Sequence, residues 1–439
     1  MLQRSVWMAL FLLFFSSHPS FSQRTIAKKK RTRITNKPRS IQRQKILAYA
    51  LRHNRGLRAF RARIKRAKAA LRGARIFPNN PTLAAGGGPQ LPVNSTVTSG
   101  QPSSILPRVG VDLSLALPIG GRWGKTQHLA SSRLQWFQHQ IQFQTFRLSL
   151  GVHRLLNQVA VASQLMLKSR AIASFFQRVE GFTQQRMKHG TATQLDLQLA
   201  QTSQLRARQA LLSATLRYRL ARQRLKMLIG WASPQKMPWQ TFPIPAFPSL
   251  PKKSVVLATG LRKHISIRVA EANIKQAKAT LALAKARAIP DLTISLGYSL
   301  EDNNHIVRGS ISIPLPLFWR NQSQIGQNHA RLRRARLLLA RQRFLVRQRI
   351  LQAYTRYQMN LRMIRLFKKQ FQTVQARSRL VEKGLRQGSF SVFQALTAQR
   401  GILQSQLLNL QNIQKAHDSY IQLCQAGGLL PAYKGFLRP

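Results

Sequence analysis

The chain has 439 residues, of which 44% are hydrophobic, so it is too long for one small core and too apolar for a disordered tail. It contains 72 Lys and Arg but only 9 Asp and Glu, a formal net charge of +63. The basic residues are spread through every helical segment, and no zinc-finger or RNA-binding signature is present, so no nucleic-acid partner is predicted. One hypothesis for the scarcity of carboxylates is an acidic exterior, where they would be protonated.

Residues 1–22 have the pattern of a secretory signal peptide, with Arg4, an apolar stretch over 6–15 and small residues flanking Phe21. A basic extension over 23–40 follows. The apolar stretch is shorter than the ~20 residues that a membrane-spanning helix needs, and no later segment approaches that length, so no transmembrane helix is predicted. Cys424 is the single cysteine, which excludes an intrachain disulfide.

Two parts of the chain repeat each other in constant register. Residues 51–74 match 261–284, and a second block pairs Gly190 with Gly388 and Gly230 with Gly428. Such matches predict two repeats, 41–230 and 258–428. A proline-rich linker over 231–257 joins them, and a tail over 429–439 follows.

Each repeat has the same predicted order of elements. A helix (about 41–76, then about 266–288) precedes a strand pair (82–118, then 290–318) and two long helices (126–230, then 325–426). Apolar residues at steps of three and four predict coiled-coil packing of the long helices. In repeat one they are Leu134, Phe137, Ile141, Leu148, Val152, Leu155, Val159 and Met166, and in repeat two Leu332, Ala335, Leu339, Val346, Ile350, Ala353, Tyr357 and Ile364. The proline-free segment 127–188 alone would make roughly 90 Å of helix.

The predicted strands alternate between apolar and small or polar residues, as from Leu292 to Leu300. Their length of about ten residues is typical of outer-membrane barrel strands. A half-buried sheet of a soluble protein alternates in the same way. Four strands cannot close a barrel, and an open edge is not tolerated in lipid, so membrane strands would require several chains to share one barrel.

With these features the chain resembles the TolC-like outer-membrane efflux proteins over about residues 41–428. The supporting motifs are Ala-Arg-x-x-Pro-Asp-Leu at 286–292, Ser-Ile-Pro-Leu-Pro-Leu-Phe at 312–318, and Gly-Thr-x-Thr-x-x-Asp at 190–196 with its echo Gly-Ser-x-Ser at 388–391. The segment 316–322 is similar to the heavy-metal-export branch of that family.

The resemblance implies a mainly α protein with membrane β-strands. Each chain of a homotrimer would give four strands to a shared twelve-stranded barrel and its helices to a long periplasmic coiled-coil α-barrel. The linker would lie at the equatorial region. The protein would be a passive conduit of a tripartite efflux or type I secretion system in the outer membrane. Its expected partners are a periplasmic adaptor, an inner-membrane transporter reached through the adaptor, and outer-membrane lipid.

The resemblance also implies two candidate sites. The glycine-marked breaks would be turns at the periplasmic tip that dock the adaptor and gate the channel, although ordinary helix caps would use the same residues. These are Gly190, Thr191, Thr193, Asp196, Gly388, Ser389, Ser391 and Gln394. The barrel-to-helix junction would comprise Pro118, Pro316 and Phe318. Two departures from the family pattern are Gln394 in place of a second acidic residue, and 263–266 in place of the usual proline.

No enzyme, cofactor or metal site is predicted, because the ten histidines and nine carboxylates form no catalytic or ligating motif. His128, His139 and His153 are expected to be polar or packing positions, and Cys424 a buried small residue. A tunnel with this charge would favour anionic or neutral cargo. The alternative interpretation is a secreted basic coiled-coil protein that binds anionic polymers.

Overall fold

The computed structural model describes residues 39–89, 107–231, 242–301, 304–387 and 389–433. The predicted signal peptide, nearly all of the basic extension, part of the linker, Gly388 and the end of the tail lie outside these residues. In chain order the elements are α1 (Arg39–His53), α2 (Arg55–Arg75), β1 (Thr82–Pro89), β2 (Pro107–Leu117), α3 (Arg122–Lys188), α4 (Gln194–Ile229), α5 (Lys253–Lys263), α6 (Ile265–Ala286), β3 (Leu292–Glu301), β4 (Asn304–Ser312), α7 (Gln322–Arg386) and α8 (Val392–Gly427).

The single helix predicted over 41–76 is wrong, because it is broken between α1 and α2 at Asn54. This residue is extended, with φ −60° and ψ 122°, and its Oδ1 accepts a hydrogen bond from the Leu57 N–H at 2.9 Å. Its Nδ2 donates to the carbonyl of Leu228 in α4 at 2.7 Å. Asn54 therefore caps α2 and ties the break to the end of a long helix.

The second repeat has the same break, but there the predicted helix (about 266–288) corresponds to α6, and α5 is an additional helix that the sequence did not predict. Helix α5 begins at Lys253, inside the segment assigned to the linker, and His264 separates it from α6. The His264 Nδ1 accepts from the Ser266 N–H at 3.1 Å, and Nε2 lies 3.0 Å from the carbonyl of Gln425 in α8. Burial lowers the pKa of His264. A capping histidine thus begins α6, at the position where the resemblance led us to expect a proline.

The long helices form as predicted. Helix α3 has 67 residues and α7 has 65, which at 1.5 Å per residue is about 100 Å each. The predicted apolar positions are confirmed as the packing stripe, since all sixteen are buried or half-buried. None of the described helices is both long enough and apolar enough to cross a membrane.

Four apolar clusters lie along the described helices, of which three are large and the fourth contains only Leu129, Ala279 and Leu283. The first joins α1, α3 and α4 to the linker through Phe242 and Ile244. The second contains residues of α3, α5, α6, α7 and α8, among them Tyr357 and Tyr420. The third packs Phe175 and Phe176 of α3 against α4, α7 and α8, toward the ends that meet the two helical turns. Burial between helices, rather than one central globule, therefore stabilises the fold.

The strands form one antiparallel sheet in the order β1-β2-β3-β4. The two strand pairs of the separate repeats meet where β2 lies beside β3, with Val111 opposite Tyr298. In the described structure β1 pairs only with β2, and β4 only with β3, so the sheet has two open edges.

Candidate functional site

The first predicted tip turn connects α3 to α4. Gly190 adopts φ +70°, and its N–H donates to the carbonyl of Met187 at 3.0 Å, while Thr191 N–H donates to that of Arg186 at 2.9 Å. This Schellman arrangement ends α3, and the left-handed backbone explains why glycine occupies position 190. The sequence prediction of a glycine-marked helix end is confirmed here.

Helix α4 begins with a capping box. The Thr193 Oγ1 accepts from the Asp196 N–H at 3.2 Å, and the Thr193 N–H donates to the Asp196 carboxylate at 3.1 Å. The carboxylate also accepts from the Thr193 hydroxyl at 2.8 Å. Both residues therefore serve as local caps.

The second turn, between α7 and α8, repeats this bonding with different residues. Ser391 and Gln394 form a capping box, in which the Ser391 N–H donates to the Gln394 Oε1 at 3.1 Å. The Ser389 hydroxyl donates to the carbonyl of Gly384 at 3.2 Å, as the Thr191 hydroxyl donates to that of Arg186 at 3.0 Å. Gln394 thus replaces Asp196 in the same role without its charge.

Each turn presents a large apolar side chain that the sequence prediction missed. Leu195 is 65% exposed, and its repeat partner Phe393 is 59% exposed. Both lie in the first turn of the second helix, two residues after the capping Thr193 or Ser391. The constant register between the repeats was the signal that could have paired them.

The predicted junction residues lie between the sheet and the long helices. Pro118 directly follows β2, and Pro316 and Phe318 lie in the irregular segment after β4, where the Phe318 ring is 92% exposed. The sequence prediction missed Asn321, which is 3% exposed and adopts φ +60°, a backbone conformation in which asparagine is enriched. Its Nδ2 donates to the carbonyl of Ala284 at 2.7 Å and so fixes the start of α7 against the end of α6.

The two faces of the sheet differ in chemistry. One face is apolar and exposed, and its large residues include Leu83, Val109, Val111, Leu113, Ile294, Leu296, Tyr298, Val307 and Ile311. The opposite face holds every Arg, Asp and Glu of the described strands, namely Arg108, Asp112, Glu301 and Arg308. Glu301 bridges Arg108 at 2.6 Å and Arg308 at 3.3 Å, and small residues such as Gly110 and Gly297 lie between these charges. Such a sheet is suited to lipid on one side and water on the other.

A buried polar cluster lies where the linker and the C-terminal segment meet α1, α3 and α8. We call Arg43, His153, Asn157, His417 and Tyr433 the Arg43 cluster. Arg43 donates to the Asn157 Oδ1 at 2.9 Å and to a linker carbonyl at 3.1 Å, and the Asn157 Nδ2 lies 2.7 Å from the Tyr433 hydroxyl. The cluster therefore holds the linker and the C-terminal segment against the helices.

Burial dominates the electrostatics of the Arg43 cluster. It lowers the pKa of Arg43 to about 10, that of His153 to about 4 and that of His417 to about 3. The Arg43 guanidinium lowers the pKa of both histidines further, and burial raises the pKa of Tyr433. At neutral pH the arginine is therefore charged and the imidazoles are neutral.

No group of His, Cys, Asp and Glu in the described part of the chain is arranged to hold a metal ion. His153 is a partly buried packing position, as predicted, and Cys424 is 3% exposed in the second helical core. Burial raises the pKa of the Cys424 thiol to about 11, which keeps it protonated and unreactive.

The sequence pattern of the outer membrane efflux protein family matches residues 46–231 and 258–429. The cobalt-zinc-cadmium resistance protein CzcC of Cupriavidus metallidurans is 30% identical over 169 residues, which is 38% of this chain and 40% of CzcC. The fold is similar to those of CusC (TM-score 0.71, 16% identity, 89% of this chain and 92% of CusC) and of VceC from Vibrio cholerae (0.70, 18%, 88% and 96%). These likenesses confirm the predicted fold class, and the chain belongs to the outer membrane efflux protein family.

Proposed function

We propose that the protein is a passive channel in which several copies, three by analogy with the family, share one barrel in the outer membrane. The observation that supports this most directly is the four-stranded sheet with two open edges and an exposed apolar face. A sheet in lipid must leave no edge unpaired, and four strands are too few to close on themselves. Pairing of β4 from one chain with β1 of the next would satisfy both edges.

Disulfide crosslinking between strand edges tests this arrangement. Leu83→Cys in β1 is combined in turn with Val307→Cys and Ile311→Cys in β4, and native Cys424 gives little background because it is buried. Oxidised membranes should yield dimer and trimer bands. The matched control is Val111→Cys with Tyr298→Cys, which face each other within one sheet and should give monomers only. A protein that stays monomeric and is released by high salt would instead support binding to anionic polymers.

The two helical turns are proposed as the adaptor-docking and gating tip. Support comes from their matching geometry and from the exposed pair Leu195 and Phe393, which offers a partner apolar contacts beside satisfied caps. Through the adaptor the channel would work with an inner-membrane transporter that supplies the energy. Leu195→Ser with Phe393→Ser should reduce adaptor co-purification and export while oligomers persist, and Leu205→Ser, at a 63% exposed position farther along α4, is the control. Full adaptor binding by the double variant would refute this assignment.

A role of Gly190 and Gly388 in the tip is tested separately. Replacing both with valine forces a side chain into a turn where Gly190 has φ +70°, and should abolish export while leaving oligomers intact. Gly181→Val lies within α3, where nothing crowds the added carbon, and serves as the control. Normal export by the double variant would contradict the tip assignment.

The cargo is proposed to be anionic or neutral. The name of CzcC refers to cobalt, zinc and cadmium, yet this chain has 72 basic against 9 acidic residues. Of the acidic side chains, Asp291, Glu301, Glu271 and Asp418 are paired with arginines and Asp196 is engaged in a cap. Repulsion of free cations follows. Reversal potentials in planar bilayers under a KCl gradient should show anion selectivity, and cation selectivity would refute the proposal.

A further inference from the structure

Arg43 carries a buried positive charge whose observed partners are neutral. The side chain is 6% exposed, and its two guanidinium contacts are the Asn157 amide oxygen and the carbonyl of Pro243. Within the described ranges no carboxylate forms an ion pair with it. Asp418, beside His417 on α8, is paired with Arg154 of α3 at 3.1 Å. An uncompensated charge in the protein interior is costly, so this guanidinium requires a countercharge.

Buried nitrogen atoms without hydrogen-bond partners lie around the Arg43 guanidinium. Arg43 Nε, His153 Nδ1 and both ring nitrogens of His417 are buried without a hydrogen-bond partner in the described structure, and His417 is only 1% exposed. All three residues flank the Tyr433 ring, with Arg43 Cζ at 5.7 Å and each histidine ring at 5.9 Å from its centroid. Arg43 Nε carries an N–H, and one of the two nitrogens of the neutral His417 ring carries another. Buried donors are rarely left unpaired, so a common acceptor is expected near them.

We propose that the Arg43 cluster binds a small monovalent anion of the chloride class. One negative charge balances the single guanidinium charge, and the Arg43 Nε–H and the His417 imidazole N–H are the donors available to it. A water molecule would satisfy donors but leave the charge uncompensated. A dianion such as sulfate would reverse the imbalance. The site is independent of the proposed channel function, since it depends only on how the linker, α1, α3, α8 and the C-terminal segment pack together.

The consequence is that a bound anion would stabilise the packing of the helices around the linker and the C-terminal segment. The bound ion would hold α1 and the C-terminal segment, through Arg43 and Tyr433, against α3 and α8. Because the ion binds only the folded state, it raises the free energy of unfolding by RT ln(1 + c/Kd), where c is the anion concentration, and this increase grows with the logarithm of c above the Kd.

Thermal unfolding of the full chain in detergent tests the proposal. At constant ionic strength, replacing isethionate with chloride should raise the Tm by about 2–4 °C, and the increase should follow the logarithm of the chloride concentration above the Kd. Arg43→Met should abolish this chloride-dependent increase. Arg147→Met, which removes an exposed arginine stacked on the Phe143 ring, is the matched control and should retain it. Equal responses in the two variants would overturn the proposal.

Bromide soaking of crystals of the unmodified protein decides the matter even if Arg43→Met fails to fold. An anomalous peak within hydrogen-bond distance of Arg43 Nε and a His417 nitrogen is the expected result. Peaks at exposed arginines alone would indicate an adventitious ion only and would overturn the proposal. A solvent peak in the Arg43 cluster without anomalous signal would identify water and would overturn it as well.

Discussion

Lowering the pH from 7 to 4 is expected to destabilise the folded protein through His153 and His417. Their pKa values are about 4 and about 3 in the folded chain, against 6.5 for an exposed histidine. Between pH 6.5 and 4 the unfolded chain therefore takes up protons that the folded chain does not. Stability falls with pH across that window, by about 1.4 kcal/mol per pKa unit and so on the order of 3 kcal/mol for each histidine by pH 4.

Burial lowers the pKa of both histidines and so gives the effect its sign, and the surrounding groups modify its size. The positive charge of Arg43 in α1 disfavours protonation of the histidines. The ring of Phe247 in the linker stacks on His417 with the ring centroids 4.4 Å apart, and an apolar ring does not stabilise a charged imidazole by hydrogen bonding. Asp418 acts in the opposite direction, because burial raises its pKa and protonation then relieves an unfavourable charge; Arg154 lessens this. The net prediction is that the free energy of unfolding falls as the pH is lowered, most steeply between pH 6 and 4.

Denaturant unfolding in detergent, measured at intervals from pH 7 to 4 in one fixed anion, provides the assay. His417→Phe keeps a ring of similar size against Phe247 and should remove about half of the pH dependence. His128→Gln changes an exposed histidine on α3 and should leave the dependence unchanged. A flat profile for the unmodified protein would refute the reasoning about buried imidazoles, and would favour the hypothesis that scarce carboxylates reflect an acidic exterior.

Three substitutions test other parts of the structure by thermal unfolding. Asn321→Ala should cost about 1–3 kcal/mol, because it removes a buried hydrogen bond to the Ala284 carbonyl and leaves φ +60° unfavourable; no loss would contradict the junction geometry. Thr193→Ala should cost about 1 kcal/mol as a lost cap, with the exposed Thr191→Ser as control. Gly297→Val should displace the Asp112 side chain that lies over Gly297 and weaken the sheet, whereas Gly309→Val, at an open position, should be tolerated.

Features with a short-range signature could be predicted from the sequence. Strand alternation anticipated β3 and β4, and the three–four spacing anticipated the packing stripe from Leu148 to Val159 and its repeat. Capping at Thr193 and Ser391 was visible because a cap depends on residues three positions apart. Gly190 could be placed at a helix end since few other residues adopt its backbone.

The helix break at Asn54 and the short helix α5, which ends at its C-cap His264, were missed for a physical reason. The flanking segments are rich in good helix formers, and one polar residue does not outweigh their propensity. Each break is stabilised by a hydrogen bond to the end of a long helix, Leu228 or Gln425, that is more than a hundred residues away in the chain. Such a partner is invisible to any local pattern.

By itself, therefore, the amino-acid sequence determined the duplication, the alternation of strand pairs with long helices, and the excess of positive charge, because each depends on composition or on spacing along the chain. The tertiary structure alone decided that β2 and β3 join the repeats into one sheet with two open edges. It also decided that Arg43, Asn157, His417 and Tyr433 form one buried cluster. These residues lie far apart in the sequence, and they meet only because the long helices, the linker and the C-terminal segment bury their apolar faces together.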